Sequence, residues 1–240
     1  MTRLIIHGGT PKTGTTALQN FLLANQTKLR HAGILYPLTG RFSEKDPAHH
    51  LLFYSFCRRP EQAPRMRLPE PALDMQEYAT MLGHEAAAFN ASTVIVSSEI
   101  LYGLSAYPQI LDEIQKYLGF FEIEILLVFR DVADFLPSGF AQRVCGPQKY
   151  TGTARQHHNE LEAWGHLAYD ERIKAFQNVF GKENVHVRSY DNIKRDIVAP
   201  LFDLAELPPR QTLTEPQRLN PTRSWFYVAT PRHLNKIPAS

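Results

Sequence analysis

The segment that most constrains the fold is residues 4–16, LIIHGGTPKTGTT, where a buried-strand pattern meets a glycine-rich turn and then a helical pattern. Gly8, Gly9 and Gly14 permit the backbone angles that such a turn needs. Backbone N–H groups converge in this kind of turn, and the N-terminus of the following helix adds about half a positive charge. The segment therefore predicts an anion-binding loop between the first strand and the first helix.

The rest of the chain alternates short apolar segments with amphipathic ones. This pattern predicts an α/β fold, with one domain over residues 1–240 and a mainly parallel sheet flanked by helices. The predicted strands cover residues 3–7, 34–36, 93–97, 123–129 and 185–189. The predicted helices cover residues 15–30, 72–89, 108–118, 132–144, 155–180 and 193–204. Pro137 is expected to kink or restart the fourth helix. We expect an irregular insertion at about 41–71 and an irregular tail after about 208.

Composition and charge narrow the classes of protein. A formal net charge of +2 over 240 residues is too balanced for a protein that wraps nucleic acid. Cys57 and Cys145 lack metal-ligand spacing, so we expect no metal site, no disulfide framework and a reducing compartment. No apolar run reaches the roughly 18–20 residues of a membrane span, and a strand pattern rather than a signal peptide starts at Leu4. We therefore expect a cytoplasmic protein, and the sequence leaves its oligomeric state open.

The position of the lysine separates this loop from the ATP-binding P-loop. ATP-binding loops have the pattern G-x-x-x-x-G-K-[ST], with lysine directly after the last glycine. Counted from Gly9, Gly14 and Thr16 fit the second glycine and the hydroxyl. Thr15, however, occupies the lysine position, and the lysine lies inside the loop as Lys12. The pattern argues against a kinase that uses MgATP, which remains an alternative together with a non-catalytic nucleotide-binding module.

The string P-K-T-G-T-T between strand and helix resembles the 5′-phosphosulfate loop of sulfotransferases that use PAPS (3′-phosphoadenosine 5′-phosphosulfate). The resemblance implies a P-loop NTPase-like sulfotransferase fold, PAPS as donor, PAP (3′,5′-ADP) as product and no required metal. It also implies that Lys12 contacts the transferring sulfuryl group and the bridging oxygen, where it stabilises charge on the leaving phosphate. The implied donor-binding residues of the loop are Pro11, Lys12, Thr13, Gly14, Thr15 and Thr16.

A second part of the resemblance follows the apolar strand pattern at residues 123–129. Arg130 comes directly after it, and Ser138 follows eight residues later. In the family, an arginine and a serine in these places grip the 3′-phosphate of the donor, and the forked guanidinium suits that role. The alternative is a surface pair of Arg130 with a neighbouring aspartate. In the family a late basic loop also closes over the donor, and its candidates here are Arg218, Asn220 and Arg223.

Glu99 is the first candidate for the base that takes the proton of the acceptor hydroxyl, because it follows the strand pattern at 93–97. Glycan sulfotransferases similar to this chain use a glutamate from this region. The His-Leu-Pro tripeptide of many relatives that act on phenols and steroids is absent. His49 and His50 are alternatives, since they lie in the irregular insertion and could reach the acceptor.

The acceptor itself is not identified by the sequence. The resemblance and the choice of base favour a hydroxyl on a sugar, a glycolipid or a small metabolite. Basic residues of the insertion could recognise an anionic acceptor or could form a solvated loop face, and both possibilities stay open. These residues are Arg41, Lys45, Arg58, Arg59, Arg65 and Arg67.

Overall fold

The computed structural model describes residues 1–57, 73–146 and 148–215. Within these ranges, five strands form one parallel sheet in the order β2-β3-β1-β4-β5. The strands are β1 (Arg3–Gly9), β2 (Ile34–Leu35), β3 (Thr93–Ser97), β4 (Glu122–Phe129) and β5 (Val185–Ser189). The predicted α/β fold with a parallel sheet is confirmed.

Eleven α-helices connect and cover the strands in the described part of the chain. They are α1 (Thr15–Ala24), α2 (Gln26–His31), α3 (His50–Tyr54), α4 (Met75–Phe89), α5 (Ile100–Leu104), α6 (Pro108–Leu118), α7 (Val132–Cys145), α8 (Ala154–Ala163), α9 (Tyr169–Phe180), α10 (Tyr190–Ile193) and α11 (Ala199–Leu204). Single 3₁₀ turns lie at Ser55–Cys57, Lys182–Asn184 and Arg210–Thr212. Among these residues, no helix combines the length and the apolar character that crossing a bilayer requires.

The sheet is buried on both faces because alternate residues of each strand point to opposite sides. In β1, Leu4 and Ile6 belong to the core shared with α4, α5, α6 and α9, whereas Ile5 belongs to the core shared with α1, α2 and α11. All three side chains are fully buried. Apolar contact on both faces thus fixes the central strand, and with it the position of the loop that follows.

Parallel strands bring their carboxyl ends to one edge of the sheet, and four chain segments meet there. The glycine-rich loop follows β1, Ser98 and Glu99 follow β3, Arg130 follows β4, and Tyr190 follows β5. Since β1 pairs with β3 on one side and with β4 on the other, the loop lies between the segment that follows β3 and Arg130 after β4.

The prediction of one helix over residues 15–30 was wrong, because Asn25 divides it into α1 and α2. The Asn25 amide donates to the carbonyls of Phe21 and Thr214, and its oxygen accepts from the Thr214 N–H, at 2.8–2.9 Å. A contact 189 residues away therefore breaks a helix whose local apolar pattern is continuous.

The prediction of one helix over residues 155–180 was also wrong. The chain leaves α8 after Ala163 and re-enters a helix at Tyr169, with Gly165 in the left-handed region at φ 62°. The Arg172 guanidinium donates to the carbonyls of Trp164 and Gly165 and so stabilises the break.

The predicted helix over residues 193–204 was wrong as well. Only Ile193, the last residue of α10, and residues 199–204 of α11 are helical, and Pro200 lies at the start of α11, where a proline is tolerated. By contrast, α7 continues through Pro137 from Val132 to Cys145 without the expected restart.

The predicted irregular insertion is partly ordered. It contains α3 and the 3₁₀ turn at Ser55–Cys57, while residues 58–71 lie outside the described ranges. The tail after 208 forms a 3₁₀ turn, and Arg210 pairs there with Asp196 through both carboxylate oxygens. Residues from 216 onward lie outside the described ranges, and the candidates Arg218, Asn220 and Arg223 are among them.

Candidate functional site

The glycine-rich loop runs from the end of β1 to the start of α1 and requires glycine at two positions. Gly9 has φ 147°, and a Cβ there would lie 2.0 Å from the Val128 carbonyl oxygen of β4. Gly14 has φ 76°, and a Cβ there would lie 2.9 Å from the Ile197 side chain. As the N-cap residue of α1, Gly14 has no side chain to cap the helix. The first turn of α1 is therefore built to accept an external anion.

Lys12 lies in the middle of this loop with φ 70°, in the left-handed region that favours glycine. Such a conformation costs a non-glycine residue about 1–3 kcal/mol and is typical of ligand-binding turns. Thr13 stabilises the turn, because its hydroxyl donates to the Thr10 carbonyl at 2.8 Å and lies 3.3 Å from the Thr15 hydroxyl. The loop keeps its shape through its own side chains.

Arg130 connects this loop to the neighbouring strand and helix. Its backbone N–H donates to the Thr10 hydroxyl at 3.1 Å. Its Nη1 lies 3.4 Å from both the Lys12 carbonyl oxygen and the Ser138 Oγ on α7. Its Nε is buried and has no partner in the described residues. The structure thus brings together the loop and the Arg130–Ser138 segment, and the guanidinium beside the loop keeps a donor that no described residue occupies.

Tyr190 is a further residue at this place. Its ring lies 5.4 Å from the Arg130 guanidinium carbon and 3.4 Å from where a Cβ on Gly14 would be. Tyr190 thus forms an aromatic wall beside the loop and the arginine. Its segment VRSYDNI, at residues 187–193, resembles a strand-end tyrosine-acid segment often seen in sulfotransferases, and from the sequence alone we expect it to be structural.

Glu99 lies at the same edge, after β3. It is half-buried in the N-cap position of α5, but its side chain makes no capping hydrogen bond there. Its carboxylate forms no ion pair with the part of the chain that the structure describes. Two purely structural roles for Glu99, capping the next helix or pairing with a lysine, are therefore not realised among the described residues.

His50 lies beside Glu99, at the start of α3. Its Nδ1 is 2.9 Å from the Ser98 Oγ, and that oxygen accepts from the Ile100 N–H at 3.3 Å. Burial lowers the pKa of His50 below its ordinary value, while the charges of Glu99 and Asp46 act in the opposite direction. His50 is therefore a neutral imidazole at pH 7 that can accept a proton.

The two adjacent histidines have different environments. The His49 ring is completely buried, with one nitrogen on the Ser97 N–H and the other on the Pro37 carbonyl oxygen. A ring with both nitrogens occupied inside the protein cannot take a proton from an acceptor. Of the two alternatives at 49 and 50, the structure leaves only His50 able to serve as a base.

The basic residues of the insertion do not form a common surface in the described part. Arg41 is buried, and its Nη1 donates to the carbonyls of Glu44 and Asp46 at 3.3–3.4 Å while its guanidinium lies over the Tyr36 ring. Lys45 is exposed. Neither possibility, acceptor recognition or a solvated loop face, fits Arg41, because its buried side chain organises its own loop. Arg58, Arg59, Arg65 and Arg67 lie outside the described residues.

No protein-family model matches this sequence, and no curated protein matches it. Solved structures do match. A sulfotransferase from Alicyclobacillus acidocaldarius superposes with a TM-score of 0.57 at 18% identity, over 93% of this chain and 87% of the other. The sulfotransferase domain from the curacin biosynthetic pathway superposes with a TM-score of 0.51 at 13% identity, over 98% and 86%. This chain has the sulfotransferase fold.

A retinol dehydratase in complex with androsterone and the inactive cofactor PAP also matches, at 14% identity over 98% of this chain and 65% of the other. Its TM-score of 0.41 is too low to support an argument about this chain. At identities of 13–18%, the sulfotransferase fold is what the matches establish, and the chemistry of the site depends on the residues described above. Within the described residues, no group of three or more His, Cys, Asp or Glu side chains is arranged to hold a metal ion.

Proposed function

We propose that this protein is a sulfotransferase that moves the sulfuryl group of PAPS to a hydroxyl of a carbohydrate or small-metabolite acceptor. The sulfotransferase fold supports the class of reaction. The donor and the acceptor are inferred from the chemistry of the site at the carboxyl edge of the sheet.

One observation carries the proposal: Arg130 Nη1 lies 3.4 Å from both the Lys12 carbonyl oxygen and the Ser138 hydroxyl. The anion-binding loop and the Arg130 guanidinium therefore form one continuous surface. A nucleotide with anionic groups at both the 5′ and 3′ positions can use both parts, whereas ATP has no 3′-phosphate for the second. The buried Arg130 Nε has no partner among the described residues, so the guanidinium keeps donor capacity that suits an anionic group.

The residues of the loop fit the 5′ end of such a donor. Backbone N–H groups around Lys12 and Gly14, together with the uncapped N-terminus of α1, suit a phosphate. In the proposal, residues 11–16 bind the 5′-phosphosulfate. Arg130 and Ser138 bind the 3′-phosphate, and Tyr190 contacts the nucleoside between them.

The proposed reaction transfers one sulfuryl group in a single displacement. The acceptor oxygen forms a bond to sulfur while its proton passes to a base. The bond between sulfur and the bridging oxygen breaks, and its electron pair stays on the 5′-phosphate, so the products are a sulfate ester and PAP. The Lys12 ammonium stabilises the charge that develops on the bridging oxygen.

His50 and Glu99 are the proposed proton-accepting pair. His50 is neutral because burial lowers its pKa, and it can therefore take the proton. The neighbouring Glu99 carboxylate favours the charged imidazole that results. Glu99 follows β3, and His50 contacts Ser98 at the end of the same strand, on the other side of the loop from Arg130.

The test compares two ligands that differ only in the 3′-phosphate, PAP and 5′-AMP, by calorimetry in EDTA. We expect PAP to bind the wild type more tightly than AMP, and Arg130→Ala to weaken PAP binding by roughly 10- to 100-fold with little effect on AMP. Equal losses for both ligands would contradict the assignment of Arg130 to the 3′-phosphate. Stabilisation by MgATP alone, with none by PAP, would favour a kinase.

Transfer itself is tested with ³⁵S-labelled PAPS and a panel of sugars, glycolipids and small hydroxyl compounds. Labelled product from at least one acceptor is the expected result. PAP binding without transfer to any member of the panel would favour a non-catalytic nucleotide-binding module.

A further inference from the structure

The buried His49 side chain has a protonation state that the hydrogen-bond geometry fixes. The Ser97 N–H lies 3.1 Å from His49 Nδ1, and because a backbone amide can only donate, Nδ1 carries no hydrogen. The single ring proton is therefore on Nε2, which donates to the Pro37 carbonyl oxygen at 3.0 Å. A third bond runs from the His49 backbone N–H to the Ser97 carbonyl at 2.9 Å. His49 thus attaches its segment to the end of β3 by two bonds and to Pro37 by one.

The surroundings keep this ring neutral. It is fully buried and meets the Tyr36 ring edge to face at 4.7 Å. A second proton on Nδ1 would face the Ser97 N–H, so two donors would oppose each other. Burial lowers the pKa of His49 to about 3. The attachment therefore does not change over the pH range in which an ordinary histidine titrates.

Ser97 links this attachment to the anion-binding loop. Its hydroxyl lies 2.8 Å from His7 Nδ1 on β1 and 3.1 Å from the Gln19 amide nitrogen on α1. His7 precedes the loop and Gln19 follows it. One buried serine thus contacts both flanks of the loop and, through its backbone, the His49 ring.

The next residue in the chain is His50, the proposed base. The titratable and charged groups that face it are Glu99 after β3 and Asp46 in the preceding loop. The Tyr54 ring of its own helix lies 6.0 Å away. The position of His50 relative to Ser98 and Glu99 depends on the backbone at residue 49.

We propose that His49 is a positioning residue: its fixed, neutral ring holds His50 against Ser98 and Glu99 and, through Ser97, at a constant place relative to the anion-binding loop. The inference rests on the proposed function in one respect, namely that His50 accepts the proton of the acceptor.

The first test needs neither a variant nor a substrate. In ¹⁵N NMR spectra of the wild-type protein, His49 should show the Nε2–H tautomer and no titration between pH 5 and 8. A proton on Nδ1, or titration in that range, would overturn the proposal.

The second test uses His49→Phe, which keeps the ring and loses both hydrogen bonds. We expect kcat to fall by about 10- to 100-fold while PAP affinity changes by less than about two-fold, because the base moves and the loop does not. The acid limb of the kcat profile and the NMR titration of His50 should both move to higher pH, as His50 becomes more exposed. His49→Asn keeps an acceptor for the Ser97 N–H and should recover part of kcat.

Ile114→Ala serves as the control for lost stability, because Ile114 is buried in α6 outside the site. It should lower the melting temperature and leave the His50 titration unchanged. If His49→Phe behaves in the same way, His49 is only a packing residue and the positioning proposal is wrong. If His49→Phe shifts the His50 titration but no acceptor is sulfated by the wild type, the positioning holds and the proposed function fails.

Discussion

At the scale of single residues, Lys12 has a strained backbone conformation, and its ammonium is proposed to stabilise the charge on the leaving group. We expect Lys12→Ala to lower turnover by at least about 10²–10³-fold at saturating PAPS, as for the loss of one electrostatic donor at a reacting oxygen. Initial rates of ³⁵S transfer measure the effect. Lys149→Ala is a matched control, because Lys149 is exposed and also has a positive φ, 45°, outside the site. Equal turnover in the two variants would refute the role of Lys12.

Single substitutions can also show whether His50 or Glu99 accepts the proton. Glu99→Gln and His50→Asn should each lower kcat, by roughly 10²–10⁴-fold for whichever residue takes the proton, without weakening PAP binding. Because burial lowers the pKa of His50, its neutral form persists below pH 6.5, and the wild-type rate should hold in that range. Near-normal kcat in His50→Asn, with a large loss in Glu99→Gln, would assign the proton to Glu99 alone.

The loop and Arg130 could be predicted from the sequence because each directly follows a strand pattern in the chain. Sequence reasoning did not separate His49 from His50, since the two are adjacent and identical in type. Only tertiary contacts, such as that of His49 with the Ser97 N–H, give them different environments. Sequence reasoning gave Tyr190 only a structural role, because the contacts of this residue with Gly14 and Arg130 come from segments far apart in the chain.

At the scale of elements, the sequence predicted the strands well because continuous apolar runs are typical of a sheet covered on both faces. It predicted helix ends poorly. The break at Asn25 depends on Thr214, and the break at Gly165 depends on Arg172, and neither partner is visible in the local pattern. The ordered part of the insertion was missed for the same reason, since its contacts are with distant elements: His49 bonds to Ser97 of β3, and Ser55 bonds to Met75 of α4.

Glu85 on α4 holds the segment directly before the insertion and supports a prediction about that segment. Its carboxylate accepts from the Leu38 N–H, the Thr39 N–H and the Thr39 hydroxyl at 2.8–3.0 Å. Glu85→Ala should lower the free energy of unfolding by roughly 1–3 kcal/mol, measured by urea denaturation, and speed amide exchange at residues 38–41. Glu113→Ala, at an exposed position of α6, is the control for a glutamate lost from a helix. Unchanged exchange in Glu85→Ala would show that other contacts hold this segment.

At the scale of the whole molecule, the sheet edge that forms the site contains buried histidines that stay neutral. Burial lowers the pKa of His7 to about 4 and that of His49 to about 3, compared with 6.5 for an exposed histidine. Below pH 6.5 the unfolded chain therefore binds protons at these two positions that the folded chain does not bind. The contribution of the two neutral histidines to stability is fully present above pH 6.5. It is lost as the pH falls toward their folded-state pKa values, about 4 for His7 and about 3 for His49.

The expected slope follows from that difference in bound protons. Each histidine lowers the free energy of unfolding by about 1.4 kcal/mol per pH unit once its unfolded form is protonated, so stability should fall steeply between pH 6 and 4.5. Urea denaturation at half-unit steps of pH measures it. His7→Asn retains a polar group toward Ser97 and should reduce the slope by about 1.4 kcal/mol per pH unit, the contribution of one histidine. His84→Gln, on the exposed side of α4, controls for the loss of a histidine. A free energy of unfolding that stays constant from pH 7 to 5 would mean that these rings also become protonated in the folded state, and the fixed neutral tautomer assigned to His49 would then be wrong.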